Sequence, residues 1–466
     1  MKKSTIIIGL QYGDEGKGKI VDLLAKNADI IARFNGGANA GHTIIRQNKK
    51  IVLRQIPAGA FYSNKILYIN SNCVVNPIQL KNEINELKQF NITLKNRLKI
   101  SSKTTLVQPH HMRLDEIFGS LIGTTKNGIG PAYSEQALRL IDSNIANLRI
   151  GDYVRNPNKG SKTIKENLKR VIREHKLVDN NVSETARKFN EAVMTLAEFV
   201  EFNPLFLEEL VSNNKQVIFE GSQSIMLDCV TGTVPFVTSS RTLPASAYLG
   251  DISIKHHGKV VGVALALPTR IGNGPFMSEF GGSKSERYCG AGGGYTNTKT
   301  IETKKYSVNK LIKSHNLFDL GIAIRMTYNE YGIVTGRPAR IGMLDLVMLR
   351  QNCKLNGIDE IYLNKFDELL IFNKTTLKGI PIVTAYSLNN KKIKYMPTTQ
   401  HELRKTSPII NYFPFIPQEM LKVKTYDKLP LEAKNIIKLI EVSSGVPIKG
   451  IGMGPKKEQI ILKKGQ

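Results

Sequence analysis

The chain has 466 residues, of which 41% are hydrophobic and 23% charged. Such a composition fills a sizeable core and excludes global disorder, and no apolar run reaches the roughly eighteen residues that span a bilayer. Lys and Arg number 66 against 39 Asp and Glu, a formal charge of +27 that suits anionic partners such as phosphorylated metabolites. No aromatic-interleaved basic stripe marks a nucleic-acid surface, so neither nucleic acid nor membrane is expected as a partner. Ile6, Ile7 and Ile8 are followed at once by Gln11, Gly13 and Asp14, too soon for a signal peptide. The four cysteines are dispersed without a CxxC pair, which points to a reduced, cytoplasmic setting.

A buried strand is predicted over residues 5–10. A glycine-rich turn at 13–18 leads into an amphipathic helix over 19–26, and 29–34 reads as a second strand. This order of strand, glycine loop, helix and strand predicts an α/β fold with parallel strands. Further strands are predicted at 65–70, 216–220, 259–267 and 360–364. Helices are predicted at 78–89, 163–176, 183–202, 343–355 and 431–442. Residues 159–205 read as a mostly helical insertion, and 281–305, rich in Gly, Ser, Thr and Lys, as a surface excursion. No repeat or Pro-rich linker divides the chain, so a single domain over 1–466 with insertions is expected.

The loop Gly13-Asp14-Glu15-Gly16-Lys17-Gly18-Lys19 fits GxxxxGK between a strand and a helix. Glycines let backbone N–H groups close on phosphate oxygens, and the helix N-terminus adds partial positive charge. Position 20 is Ile, where a phosphate loop of this kind usually has a Ser or Thr for magnesium, which leaves Asp14 as the hard oxygen ligand or a proton acceptor. In Asn39-Ala40-Gly41-His42-Thr43, His42 suits acid chemistry near neutrality, and Gly41 permits close approach of backbone to ligand. Asn364-Lys365-Phe366-Asp367 lies at a predicted strand end, where a carboxylate can accept from guanine N1–H and the 2-amino group. Residues 123–131, with threonines among glycines, suit an anion, and Arg337 and Arg340 of Thr335-Gly336-Arg337-Pro338-Ala339-Arg340 can fork onto a carboxylate or phosphate.

GDEGKGK, NAGHT, GTTKNGIGPAY, VTSS, GPF, TGRP and NKFD occur in an order that resembles the adenylosuccinate synthetase family, from about Thr5 to the C-terminus. The resemblance implies a large central, mostly parallel sheet with GTPase-like phosphate loops. It implies a cytosolic homodimer that joins IMP to L-aspartate at the expense of GTP, with magnesium, the committed step towards AMP. Asp14 is then the base that takes the N1 proton, His42 donates to the phosphoryl group in transfer, and Asp14 with the Gly41 carbonyl holds magnesium. Gly13, Asp14, Glu15, Gly16, Lys17, Gly18, Lys19, Gly41, His42 and Thr43 match the GTP phosphate site; Lys365, Phe366, Asp367, Gly452, Met453 and Gly454 match the guanine site. IMP is implied to meet Asp14, Glu15, Gly16, Lys17, Asn39, Ala40, Gly41, His42, Thr125, Gln223, Thr238 and Arg337, with Arg139 supplied by the neighbouring subunit. Ile333, Val334, Thr335, Gly336, Arg337, Pro338 and Ala339 match the aspartate loop.

The chain departs from the family pattern at several points. An arginine is usual at position 339, where this chain has Ala339; Arg340, one residue on, is a candidate substitute. Residues 241–246 and Gly221-Ser222-Gln223-Ser224 differ, and Met343 replaces a tryptophan. Extra residues lie near 141–147 and 283–305. Phage relatives use dGMP in place of IMP and lose the loop acid, so the retained Asp14 favours IMP. A GTP- or nucleic-acid-binding protein on the same fold is the other alternative. His110 with His111, and His256 with His257, are adjacent pairs whose side chains are expected to diverge. Glu220 ends a buried strand and is left without a role.

Overall fold

The structure, a computed structural model, describes residues 4–463 except 47–48, 120–121, 142–143, 146, 179–180, 291–296 and 333–335, and leaves the side chains of 144 and 145 undescribed. Strand β1 (Ser4–Gly9) carries three consecutive isoleucines that are all buried. Ile6 and Ile8 pack with Phe34 and Phe219 on one side, while Ile7 packs with Ile31, Ile20 and Val21 on the other. A strand apolar on both faces belongs in the middle of a parallel sheet covered on both sides.

Nine further strands complete that sheet: β2 (Ile30–Arg33), β3 (Ile66–Ile69), β4 (Leu98–Ser101), β5 (Val200–Glu201), β6 (Val217–Ser224), β7 (Lys259–Leu265), β8 (Glu360–Asn364), β9 (Ile448–Gly452) and β10 (Ile460–Leu462). Their order is β5-β4-β3-β2-β6-β1-β7-β8-β9-β10. Every neighbouring pair is parallel except β9 and β10. The mostly parallel central sheet expected from the sequence is therefore present, and all six strands read from it lie within the observed ten.

The helix predicted over 183–202 ends earlier. It spans Val182–Leu196, and Val200 pairs with Ile100 instead, because two residues suffice to add β5 to the sheet edge. Among the described residues of 159–205 the long helices are Pro157–Glu174 and Val182–Leu196, and Phe189, Val193 and Leu196 of the second pack onto the core. The excursion at 281–305 contains helices Gly282–Cys289 and Lys299–Lys305, and the second of these buries Glu302 completely. A smaller four-stranded sheet built on Ile380–Leu388 had no counterpart in the sequence reading. Among the described residues no helix is long and apolar enough to cross a membrane.

Candidate active site

Parallel strands deliver the loops after their carboxyl ends to one edge of a sheet, and ligands bind there. Here that edge collects the loops after β1, β2, β6, β8 and β9, which carry residues 10–16, 34–42, 225–238, 365–367 and 453–454. Hydrogen bonds stitch them together. Asn364 Nδ2 donates to the Glu15 carbonyl at 2.6 Å, and Lys19 Nζ to the Gly454 carbonyl at 3.0 Å. Gln11 bridges to Leu265 through both ends of its amide.

The phosphate loop turns through three positive φ angles, at Gly13 (103°), Asp14 (58°) and Gly16 (81°), the last capping helix α1 (Lys17–Leu24). Asp14 is strained there, since a non-glycine residue rarely adopts this conformation. Its carboxylate opens onto the cleft and makes no hydrogen bond among the described residues. Surrounding protein raises its pKa by desolvation, against the pull of Lys17 and Lys365. Glu15 differs from Asp14. Its side chain is turned inward, accepting from Gln11 N at 3.1 Å, Gly13 N at 3.0 Å, Lys17 Nζ at 2.8 Å and Ser224 Oγ at 2.7 Å. It shapes the loop, and only its backbone remains for a nucleotide. Burial lowers the Lys19 ammonium to about 8, with Asp367 opposing.

His42 begins a hairpin strand (His42–Arg46) and is buried against α1. A Cβ at Gly18 would lie 2.9 Å from the His42 Cβ, so glycine is what admits the imidazole this close to the phosphate loop. His42 Nδ1 is hydrogen-bonded to Glu220 Oε1. Glu220 Oε2 accepts the Ala58 N–H at 2.7 Å, and Arg33 Nη1 stands 4.0 Å from Oε1. Burial opposes the Glu220 charge, but His42, Arg33 and the Ala58 amide overcome it and lower its pKa. An ionised carboxylate only accepts, so Nδ1 carries the proton and Nε2 is the nitrogen left for a ligand. Burial lowers the His42 pKa, with Glu220 opposing. Glu220 is a candidate functional residue to which the sequence assigned no role; its only signal was a carboxylate ending a buried strand.

Asn39 holds the next loop, accepting from Gly37 N at 3.1 Å and donating to Thr238 Oγ1 at 3.4 Å, so two residues expected at the IMP site meet. Ala40 is buried beside them. Gln223 sits at φ 53°, and its Oε1 is buried without a hydrogen-bond partner, close to where a Gly36 Cβ would lie. Thr43 Oγ1 is likewise buried and unpartnered. Arg337 reaches the Gly123 carbonyl at 3.1 Å, which brings the 123–131 loop against the arginine segment. Thr125 is exposed in that loop. Arg139 is exposed too, at φ 67° just past helix Ile129–Leu138.

At the end expected to take guanine, Asp367 Oδ1 is buried without a hydrogen-bond partner among the described residues, and burial raises the pKa of its carboxyl. Phe366 lies wholly in the core, so its backbone is what it offers to the cleft. Lys365, at φ 57°, pairs with Glu330. Gly452 could not accept a Cβ beside Asn364 and Lys19, and Met453 N is tied to Gln459 O at 2.8 Å.

Ile333, Val334 and Thr335 lie outside the described residues. Gly336 is at φ 64°, and Pro338 bridges to Tyr331. Ala339 is 2% exposed, inside the main core. Arg340 does not replace the missing arginine. It is buried and forked onto Glu279 at 2.9 and 2.5 Å, with Nη1 on the Gly272 and Gly274 carbonyls.

His110 and His111 also correct the sequence reading. Both converge on Glu135, at 3.0 and 2.7 Å, and Arg170 adds a third donor at 3.2 Å. Glu135 stands on a neighbouring helix against the first turn that holds both imidazoles, which is why adjacent residues meet one carboxylate. The three could surround a metal ion by distance. However, His111 Nδ1 accepts the Gln108 N–H at 3.0 Å, so its Nε2 carries the proton. Metal on Nε2 would turn two N–H donors against each other. The cluster is a three-helix clamp.

A family model described as adenylosuccinate synthetase matches residues 6–461. The chain belongs to the adenylosuccinate synthetase family. It is 38% identical over 462 residues to adenylosuccinate synthetase 2 of Cupriavidus pinatubonensis, covering 99% of this chain and 97% of the relative. Against the adenylosuccinate synthetase of Streptococcus sanguinis identity is 33% over 471 residues, covering 98% and 97%. The fully ligated adenylosuccinate synthetase of Plasmodium falciparum superposes with a TM-score of 0.83 at 30% identity, covering 99% of this chain and 100% of that one. Cyanophage S-2L succinoaminodeoxyadenylate synthetase, bound to dGMP and dATP, aligns over 100% of this chain and 96% of its own with a TM-score of 0.58 at 15% identity, a likeness of fold alone. Membership of the adenylosuccinate synthetase family makes the chain a ligase of purine biosynthesis that joins IMP to aspartate with GTP.

Proposed function

We propose that Asp14 and His42 carry the two halves of this ligase reaction. Asp14 takes the N1 proton of hypoxanthine, and the resulting O6 oxyanion attacks the γ-phosphoryl group of GTP, releasing GDP. The aspartate amine then displaces phosphate from C6. The observation that supports this most is Asp14 itself: an unpartnered loop carboxylate, open to the cleft, with a pKa raised towards that of a working base. His42 starts neutral. Its Nε2 gains a proton as phosphate charge arrives, and the imidazolium then bridges Glu220 and the phosphoryl oxygens. Positioning and charge neutralisation carry the transfer step.

The Asp14 carboxylate, a hard oxygen with no hydrogen-bond partner among the described residues, and the Gly41 carbonyl are the groups that would hold magnesium. Magnesium when bound neutralises triphosphate charge. Asp367, orphaned and buried, would read guanine N1–H and the 2-amino group. Arg337 would hold the carboxylate of aspartate. We read the chain as one domain working in the cytoplasm as a homodimer. Arg139, flanked by Leu138 and Leu140 at 55% and 60% exposure, lies on a surface that a second copy would cover, placing Arg139 at the partner's IMP phosphate.

IMP is favoured over dGMP as acceptor because Asp14 would crowd a 2-amino group. A coupled assay tests this: IMP or dGMP is offered with GTP or ATP and aspartate, and the product is identified by mass. Adenylosuccinate from IMP and GTP is expected, and a product only from dGMP would overturn the reading.

A further inference from the structure

Helix Lys299–Lys305 reads KTIETKK, a charged turn in an insertion, and Glu302 would ordinarily face water among these lysines. Instead Glu302 is 0% exposed. Its carboxylate accepts Arg325 Nε at 3.0 Å and Nη2 at 2.5 Å, and the Tyr331 hydroxyl at 2.6 Å. Arg325 Nη1 donates onward to the Ala339 carbonyl at 2.9 Å.

Tyr331 and Ala339 flank Arg337 on either side. Their two ends are tied to one another as well: Tyr331 bridges to Pro338, Gly332 N donates to Arg337 O at 2.8 Å, and Ala339 N donates to Glu330 O at 3.0 Å. Thus both ends of the arginine segment stand on a single buried ion pair, and half of that pair comes from the insertion. Position 339 offers no guanidinium in this chain, and Arg340 is held in the core by Glu279. Arg337, which also reaches the Gly123 carbonyl at 3.1 Å, is therefore the arginine of this segment read as meeting a substrate carboxylate. Its direction depends on where the segment's base is set.

We propose that Glu302 is a positioning residue for aspartate: it fixes the base of the segment, through Tyr331 and Arg325, so that Arg337 meets the substrate. The inference rests on the reading of Arg337 as the aspartate-binding arginine. A buried Glu–Arg pair that merely docks the inserted helix is the competing account, and it predicts lost stability with unaltered aspartate recognition.

Steady-state kinetics on the full-length protein separate the two. Tyr331→Phe removes one hydroxyl and leaves the ion pair intact, so folding is preserved. A hydrogen bond to a charged group is worth about ten- to a hundredfold, and only part of that loss reaches Arg337, so the KM for aspartate should rise about three- to tenfold. The KM values for IMP and GTP should stay within about twofold. Glu302→Gln should raise the aspartate KM further, in the same direction. An unchanged aspartate KM in Tyr331→Phe overturns the proposal, whatever happens to the melting temperature. Arg337→Leu serves as the control for the underlying reading. If it leaves the aspartate KM unchanged, that reading falls and the proposal with it; if it alone raises the KM, only the positioning role falls.

Discussion

Glu220 holds His42 from behind: one carboxylate oxygen takes the Nδ1 hydrogen, and the other takes the Ala58 amide at 2.7 Å. The imidazole is thereby presented through Nε2, and its pKa is kept low by burial until an anion arrives. GTP binding near neutral pH should therefore take up a proton, because phosphate charge raises a pKa that the free protein depresses. Calorimetry in buffers of different ionisation enthalpy measures this uptake. Glu220→Gln should abolish it and lower kcat by roughly 10²-fold, since a neutral amide no longer stabilises the imidazolium. Equal uptake in both proteins would refute the role.

Asp14→Asn should abolish ligation while GTP binding largely survives, as the amide keeps the shape and cannot accept the N1 proton. Loss of a general base costs roughly 10²–10⁴-fold in rate. The wild-type pH profile carries a second signature. A base must be deprotonated to act, and desolvation raises this pKa, so activity should fall with acid at a pH above the ordinary carboxylate range. An acid limb at the ordinary value, or a variant within threefold of wild type, would remove Asp14 from the role.

Asp367→Asn should turn nucleotide preference from GTP towards XTP. The amide presents a donor to guanine N1–H, and a site built on hydrogen bonds rejects a mismatched partner strongly. Competition between the two nucleotides reads the change directly. A GTP KM that hardly moves would place guanine recognition elsewhere.

Arg139→Leu should weaken IMP on the order of ten- to a hundredfold and leave GTP alone, the worth of a charge-assisted phosphate contact. Chains carrying both Arg139→Leu and Asp14→Asn, mixed with wild type, separate a shared site from a self-contained one. With a shared site the hybrid is impaired at both positions. A hybrid with one site of normal IMP affinity would rule sharing out.

Arg340→Leu should destabilise the fold by about 3–5 kcal/mol, because Glu279 is then left charged and buried. Urea denaturation measures it. Replacing Glu279 by leucine as well should restore much of the loss. A single variant as stable as wild type would mean that the fork onto Glu279 contributes nothing.

The motifs were legible because phosphate and guanine recognition need particular residues at short spacing: GDEGKGK and NKFD each lie within one loop. Six of the central strands were legible for a similar reason, since an all-apolar run such as Ile6, Ile7 and Ile8 has few other uses. The strand Ile448–Gly452 was hidden by its glycines, which serve the close packing beside Asn364 rather than a turn. Residues acting across long separations were not legible. Glu220 is 178 positions from His42, and Glu302 is 23 from Arg325 on another helix, so neither pairing leaves a local pattern. Arg340 misled because a guanidinium has the same letter whether it faces a substrate or Glu279.

The hydrogen bond from Lys19 to Gly454 spans 435 positions of chain. It sets a condition on biosynthesis. The phosphate loop leaves the ribosome long before the carbonyl that receives its lysine. All of the chain between the two must be made before they can meet, and contacts so distant in sequence are slow to form. Nascent chains that stop short of Gly454 should thus be unable to bind GTP, and competence should appear only once that residue has emerged and docked.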